Sequence, residues 1–222
     1  MPPEKPFLAF DTTAAHCAAA LLLGGDCIAL AREEMAKGQA ERLMPMIEEM
    51  LAAAGYRWAD LGGVGVGTGP GNFTGIRISV AAARGLALGL GVRAVGVTGL
   101  EALAHGAQGR CRVALPASRG AVYVQDYDGE TALAAPFERA ADDPALWPDD
   151  PAVTLIGDWP DPPAGMPHRL IRPDAKTRLR ALARIGARRL DQDAPPPAPF
   201  YMRAADAVPA SDPPPRILDD PA

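Results

Sequence analysis

The chain has 222 residues, a formal net charge of −5 and a pI near 5.2, and 48% of its residues are hydrophobic. This length suits one large globular domain or two smaller ones. The acidic balance argues against a free-standing nucleic-acid binder, which needs a basic surface to neutralise phosphates, so a role on RNA would need a partner.

The cysteines and the apolar segments indicate in which cellular compartment the protein works. The cysteines are Cys17, Cys27 and Cys111. They form no CxxC pair and no even-numbered framework, which argues against a disulfide-stapled secreted fold and against a zinc site. No apolar leader precedes the first strand, and the apolar zone 78–97 is interrupted by Arg84 and Arg93. We therefore expect a cytoplasmic protein without a membrane span.

The first third of the chain predicts three strands and a helix. An apolar run at residues 7–10 is followed by two further runs, 15–23 and 27–33, which flank the turn sequence Gly24-Gly25-Asp26. Such a turn closes an antiparallel hairpin. Apolar residues at helical spacing then predict a helix from about residue 41 to residue 54.

A glycine-rich segment follows. Residues 63–67 alternate glycine with valine, which predicts a strand with one bare face suited to close contact with another backbone. Residues 68–74 are predicted as loop and 76–90 as a second helix. A strand at 92–97 and a short helix at 100–105 complete this part of the chain.

The remainder predicts a hairpin with strands at 111–115 and 121–127, a strand at 154–157 and a helix at 175–190. Prolines crowd the C-terminal segment, a composition that disfavours packed structure. The predicted divisions are an N-terminal lobe, a C-terminal lobe and a disordered tail, at residues 1–105, 106–204 and 205–222.

Two stretches are candidates for contact with a phosphate. Asp11-Thr12-Thr13 follows the first strand, where a carboxylate and hydroxyls can hold a phosphate or a magnesium-bound water, or can simply cap the strand end. The loop containing Gly69 and Gly71 precedes a helix N-terminus, which is a favourable place for an anion. It lacks the lysine of a Walker A loop and completes no dinucleotide fingerprint, so ligand contact and pure architecture both stay open.

The sequence gives little support for a metal site or for nucleophilic catalysis. The histidines are His16, His105 and His168. None has a partner at ligand spacing, so no metal is predicted. No serine lies in a nucleophile elbow, and no catalytic residue is predicted.

The arginine-rich stretch 169–189 either contacts RNA phosphates or is the solvated face of an amphipathic helix.

The helices predicted at 41–54 and 76–90 are apolar beyond a single stripe. A helix of this kind lies deep in a core or is covered by a partner. The candidate partner-binding residues are Leu43, Met46, Ile47, Met50, Ile76, Val80, Ala83, Arg84 and Ala87.

Several of these motifs together resemble the bacterial TsaB (YeaZ) family. The similarity is carried by Leu8-Ala9-Phe10-Asp11-Thr12-Thr13, by Glu41-Arg42-Leu43-Met44-Pro45-Met46 and above all by Gly67-Thr68-Gly69-Pro70-Gly71-Asn72-Phe73-Thr74-Gly75-Ile76-Arg77-Ile78. It continues more weakly at 83–87, 96–100, 120–123 and 199–203. The first hundred residues carry nearly all of it.

The resemblance implies an α/β fold of the two-lobed actin, Hsp70 and sugar-kinase (ASKHA) type. Its N-terminal lobe follows a β-β-β-α-β-α plan, and its second lobe is smaller and degenerate. The catalytic relative TsaD binds metal through a His-x-x-x-His pair, and the corresponding residues here are Gln39 and Leu43. The chain also departs from the family pattern at 115–119, where members often show Asp-Ala-Arg.

The resemblance further implies a non-catalytic accessory subunit. It would bind a TsaD-like catalytic subunit, with a TsaE-like ATPase in the complex, for the threonylcarbamoylation of adenosine 37 in tRNA. It would contact tRNA indirectly and form a homodimer when alone. No firmly bound cofactor is expected, only weak ATP or ADP at the partner interface. The nucleotide-proximal residues would be Asp11, Thr12, Thr13, Gly69 and Gly71.

Two alternatives stay open at this stage. One is a stand-alone ATP-dependent kinase or ATPase of the same superfamily that uses Asp11 as its phosphate-side carboxylate. It lacks a recognisable second acidic residue in the other lobe. The other is a metallopeptidase, which the missing histidine pair disfavours.

Overall fold

The first sheet is built from five strands in the order β3-β2-β1-β4-β5. This computed structural model describes residues 4–202. The strands are β1 (Phe7–Asp11), β2 (His16–Leu23), β3 (Asp26–Glu34), β4 (Gly63–Gly67) and β5 (Arg93–Val97). β1, β2 and β3 are antiparallel, whereas β4 runs parallel to both β1 and β5.

Two helices pack on this sheet, α1 (Gln39–Ala53) and α2 (Phe73–Leu90), and a short helix, α3 (Gly99–Ala104), follows β5. The predicted β-β-β-α-β-α order is therefore confirmed. α2 begins three residues earlier than predicted, because the Asn72 side chain accepts a hydrogen bond from the Gly75 amide and caps the helix there.

The second sheet has the strand order β11-β10-β6-β7-β8, and β9 pairs with β7. Its strands are β6 (Arg110–Pro116), β7 (Ala121–Asp128), β8 (Thr131–Ala132), β9 (Phe137–Ala140), β10 (Thr154–Gly157) and β11 (Leu170–Ile171). A last helix, α4 (Ala175–Arg189), follows. Two mixed sheets with helices give the expected α/β fold. The predicted tail, residues 205–222, lies outside the described residues.

The two faces of the first sheet bury different helices. Successive side chains of a strand point to opposite faces. Leu8 and Phe10 of β1 therefore belong to the cluster that packs with α1 and α2. Phe7 and Ala9 belong to the cluster that packs with α4. The first sheet is thus enclosed between α1 and α2 on one side and α4 on the other.

The glycine face of β4 is where α4 comes closest. A Cβ on Gly186 of α4 would lie 3.5 Å from Gly65 Cα and 3.0 Å from the Phe7 ring. A Cβ on Gly65 would lie 2.9 Å from the same ring. The close backbone contact predicted from the glycine–valine alternation is confirmed, and its partner is α4.

α4 also carries ion pairs that reach the second sheet. Arg178 pairs with Asp158 just after β10, at 2.5 Å, and Arg188 pairs with Glu130 in the β7–β8 turn, at 2.7 Å. α4 therefore packs on the first sheet although it lies within residues 106–204, and it ties the two sheets together. The division at residue 105 stays a prediction.

Candidate functional site: a cleft and an uncovered helix

Asp11 ends β1 and is the centre of a small polar cluster. Its Oδ1 accepts a hydrogen bond from the Thr13 amide at 3.0 Å, and its Oδ2 accepts from the Thr13 hydroxyl at 3.1 Å. The Nε2 atom of His16 lies 3.0 Å from the same Oδ2. Burial raises the pKa of Asp11, but the bond to His16 and its charge, with the bonds from Thr13, outweigh burial and lower the pKa. Asp11 is therefore an ionised carboxylate whose oxygens are already bonded within the chain.

Thr12 points the opposite way, into the protein. It is fully buried, and its hydroxyl donates to the Gly75 carbonyl at 2.7 Å. The Ser79 hydroxyl donates to that carbonyl at 3.0 Å. Thr12 therefore anchors the first turn of α2 and does not face a ligand.

Several backbone groups of the glycine-rich loop form hydrogen bonds inside the molecule. The Asn72 amide donates to the Thr13 carbonyl at 2.6 Å, and the Gly99 amide donates to the Gly69 carbonyl at 2.8 Å. The Gly75 amide donates to its own cap, Asn72, at 2.9 Å. These bonds fasten the loop to the turn after β1 and to the start of α3, so part of its polar backbone is engaged inside the molecule.

The glycines of this loop lie against the turn that follows β1 at Thr12 and Thr13, which we call the Thr12 turn. A Cβ on Gly75 would overlap the Thr12 carbonyl oxygen, and a Cβ on Gly71 would overlap that of Thr13. A Cβ on Gly67 would overlap the Asp11 carboxylate. Close packing therefore accounts for these three glycines, and ligand contact stays a prediction.

A cleft of about 990 Å³ lies between the two sheets. Of the five nucleotide-proximal residues predicted, Asp11, Thr13 and Gly71 line it. Thr12 and Gly69 are not among its lining residues and are buried. Three of the five predicted residues therefore lie on the wall of the cleft, and nucleotide binding there stays a prediction.

Sequence reasoning missed an aromatic cluster at the mouth of this cleft. Phe73 and Tyr201 are each 40% exposed, and their ring centroids lie 5.0 Å apart. The Arg77 guanidinium lies 3.8 Å above the Phe73 ring, and its Nε donates to the Tyr201 hydroxyl at 3.0 Å. The pairing joins residues 124 positions apart in the chain, so no local pattern could reveal it.

Gln39 and Leu43 stand where the resemblance aligns the metal-binding histidines of TsaD. The Gln39 Nε2 lies within 3.1 Å of the carbonyl oxygens of Thr12, Ala14 and His16, so this side chain fixes the turn after β1. Leu43 is buried in the core. Among residues 4–202, no cluster of three or more His, Cys, Asp or Glu side chains is arranged to hold a metal ion.

The predicted partner-binding residues must be corrected. Seven of the nine are buried in the core of the chain itself: Leu43, Met46, Ile47, Met50, Ile76, Val80 and Ala83. Ala87 is half-buried and Arg84 is exposed. The apolar side chains that these helices turn toward the sheet cannot also meet a partner, so any interface lies on the outer faces.

The outer face of α2 is largely uncovered. Five of its 18 residues are buried, and by length and composition alone the helix is apolar enough to cross a membrane. The exposed residues of the helix are Phe73, Thr74, Arg77, Ala81, Arg84, Gly85, Leu88 and Gly89. Leu88 is 86% exposed. Beyond the first turn, this surface therefore combines small residues with two arginines, and Leu88 projects from it.

Comparison with known proteins gives a consistent result. A family model described as TsaD, tRNA N6-adenosine threonylcarbamoyltransferase, matches residues 32–146, just over half of the chain. The tRNA threonylcarbamoyladenosine biosynthesis protein TsaB of Escherichia coli is 37% identical over 125 residues, which are 54% of this chain and 54% of the relative. TsaB of Haemophilus influenzae is 35% identical over 100 residues, 45% of this chain and 42% of the relative.

The chain belongs to the TsaB/YeaZ family. YeaZ from Pseudomonas aeruginosa superposes with a TM-score of 0.65 at 25% identity, covering 89% of this chain and 99% of that one. A second Pseudomonas aeruginosa structure, described as similar to peptidase YeaZ, gives 0.68 at 26% identity, covering 90% and 100%. The sequence matches span about half the length of the curated TsaB relatives, whereas the fold of the family extends over nearly all of this chain.

Proposed function

We propose that this chain is a non-catalytic accessory subunit in threonylcarbamoyladenosine biosynthesis and that it acts in the cytoplasm. It binds a TsaD-like catalytic subunit, with a TsaE-like ATPase in the complex, through the outer faces of α2 and α1. Membership of the TsaB/YeaZ family supports the pathway. The single observation that carries the binding surface is the apolar, mostly uncovered α2.

The glycines of α2 support an intermolecular contact. A Cβ on Gly85 or on Gly89 would meet no atom within 4 Å, so neither glycine is required by packing inside the chain. Glycine inside a helix costs about 1 kcal/mol relative to alanine. A partner that approaches the helix backbone closely gives both glycines a purpose, and Leu88 then becomes the anchor that fills a pocket of the partner.

Charge adds one feature to this surface. Of the two cations of α2, Arg77 lies over Phe73, whereas Arg84 has no ion pair among residues 4–202. A carboxylate of the partner opposite Arg84 would satisfy it and orient the complex. Arg84 is thus the one originally predicted interface residue that is both exposed and chemically suited to the role.

Catalysis belongs, in this proposal, to the partner. Gln39 and Leu43 supply no metal ligands, and the oxygens of Asp11 are bonded to Thr13 and His16. An accessory subunit raises the activity of its partner only through a higher affinity for the active conformation. ATP or ADP binds weakly, in the cleft beside the partner, and no cofactor is held firmly.

The interface is tested by placing a charge on the outer face of α2. Ala81→Asp and Leu88→Asp are expected to weaken binding of the TsaD-like protein from the same organism at least about 100-fold, because a desolvated, unpaired carboxylate costs several kcal/mol. Isothermal titration calorimetry measures the affinity. Leu133→Asp, at an exposed position directly after β8, is the matched control and should bind like the wild type.

A second measurement tests the accessory role. The isolated chain, and the chain with TsaD, TsaE and the threonylcarbamoyl-adenylate synthase, are assayed for ATP turnover and for modification of tRNA. We expect modification only in the complete mixture. Substantial ATP turnover by the isolated chain, unaffected by Leu88→Asp, would contradict the proposal and favour the stand-alone ATPase.

We expect the isolated chain to form a homodimer through the same face. If one surface serves both partners, Leu88→Asp should make the chain monomeric in light scattering, and addition of the TsaD-like protein should dissociate the wild-type homodimer. A homodimer that persists in the variant would mean that the two interfaces are different.

A further inference from the structure

The strongest concentration of positive charge in this acidic protein lies on α4. The helix contains six cations and no acidic residue: Lys176, Arg178, Arg180, Arg184, Arg188 and Arg189. Three of the six are paired with carboxylates, Arg178 with Asp158, Arg188 with Glu130 and Arg189 with Glu101. These three pairs hold α4 in place and account for half of the charge.

The other three cations form a stripe along the outer face. Lys176, Arg180 and Arg184 are exposed and follow one another at intervals of four residues. A rise of 1.5 Å per residue spaces them by about 6 Å along the helix axis. Among the described residues, none of the three has a carboxylate within 4.0 Å. We call these three residues the α4 stripe.

The carboxylate of Asp174, directly before α4, is engaged by the helix N-terminus. Asp174 caps the helix, and its Oδ1 accepts from the Thr177 amide at 2.6 Å. That bond, with smaller contributions from the charges of Arg180 and Lys176, lowers the pKa of Asp174. The helix N-terminus therefore already engages this carboxylate, and Arg184, two turns further on, has no acidic neighbour on its own helix.

The α4 stripe and the partner surface lie on opposite sides of the first sheet. α4 packs with Phe7 and Ala9, and α2 packs on the face that carries Leu8 and Phe10. A partner bound to the outer face of α2 therefore leaves the stripe open. The arrangement allows one subunit to bind the catalytic partner on one side and a polyanion on the other.

We propose that the α4 stripe binds phosphates of the tRNA backbone and so helps to hold the tRNA on the assembled complex. The choice of RNA among polyanions rests on the proposed function. Three point charges at regular spacing suit phosphate contacts, which position a nucleic acid without reading its sequence. The contact is direct, in place of the indirect one that the resemblance implies.

The composition of the outer face favours RNA over a lipid surface. The large apolar residues of α4, Leu179, Leu182 and Ile185, are all buried against the first sheet. A helix that lies in a membrane interface needs apolar residues beside its cations to insert among the acyl chains. The outer face of α4 offers charge alone.

The test is binding of a fluorescently labelled tRNA transcript to the full chain, measured by anisotropy from 50 to 200 mM salt. Three phosphate contacts predict a slope of log K against log salt of about −2 to −3. Arg180→Glu with Arg184→Glu should weaken binding at least about tenfold at 50 mM salt and flatten the slope by about 1.5 to 2. Arg57→Glu with Arg110→Glu changes the net charge equally at exposed sites elsewhere and should retain wild-type affinity and slope.

Parallel titrations with polyglutamate and with phosphatidylserine vesicles identify the class of ligand. Binding of tRNA that is lost only in the α4 variant supports the proposal. Equal loss in both double variants would mean that net charge alone is responsible, and preference for polyglutamate or vesicles would mean another partner; each overturns it. Calorimetry of each double variant with the TsaD-like protein separates this outcome from failure of the α2 interface, because both double variants should still bind that protein.

Discussion

Gly75 is the residue at which the turn after β1 and the first turn of α2 come closest. Gly75→Ala would place a methyl group on the Thr12 carbonyl, which is backbone and cannot move aside. We expect a loss of about 2–3 kcal/mol in the free energy of unfolding. Gly89→Ala, in open space on the same helix, should instead gain about 0.5–1 kcal/mol. Urea unfolding at low protein concentration measures both, and equal effects would refute the close contact.

The carboxylate of Glu130 makes the stability of the fold depend on pH. Burial raises its pKa, but the bonds from Arg188 and from the Gly106 amide and the charge of His105 outweigh burial and lower the pKa from 4.5 to about 2. Since the pKa is lower in the folded than in the unfolded chain, the ionised carboxylate stabilises the fold above pH 4.5. That stabilisation is lost as the pH falls toward 2.

Glu130→Gln tests this dependence. The variant should be less stable than the wild type by about 1 kcal/mol at pH 6, a modest figure because water screens a carboxylate this exposed. At pH 3 the difference should shrink by more than half. Urea unfolding at the two pH values measures it, and a difference that does not change with pH would show that the ion pairs of Glu130 contribute nothing.

Local patterns predict the elements of this fold well. The strand at residues 63–67 and that at 154–157 match β4 and β10, and the predicted helices lie within three residues of α1, α2 and α4 at each end. Glycine turns and apolar periodicity are enough for this. The short strands β8, β9 and β11 were missed, because two to four residues are too few to show a period.

The faces of the helices were harder to predict. α2 is apolar beyond a single stripe, so periodicity does not decide which side meets the sheet, and the prediction of Ile76 and Val80 as partner-binding residues is wrong because both are buried. The position of α4 depends on Gly186 meeting Gly65, a contact between distant segments. The aromatic cluster of Phe73 and Tyr201 is non-local in the same way. Such pairings follow from the complete fold and leave no mark on a local stretch of sequence.

The whole molecule is joined by α4, which packs on one sheet and forms ion pairs with residues of the other. We therefore expect the two lobes to unfold in one transition. The tryptophans allow a test, because Trp58 packs against the first core cluster whereas Trp147 and Trp159 contact each other beside the second sheet. Trp58→Phe and the double variant Trp147→Phe with Trp159→Phe should report the same denaturation midpoint. Separate midpoints would mean that the lobes unfold independently.

The joint between the Thr12 turn and α2 also has a consequence for the thermodynamics of assembly. The hydroxyls of Thr12 and Ser79, the Asn72 cap and the Thr13 carbonyl fix the start of α2 before any partner arrives. If the proposed partner binds this helix, association orders little backbone, so its heat-capacity change should match the apolar area buried by two rigid bodies, without the larger change of a coupled folding reaction. A glycine-rich loop is usually taken as a sign of motion, whereas here it holds the proposed partner surface in its final shape.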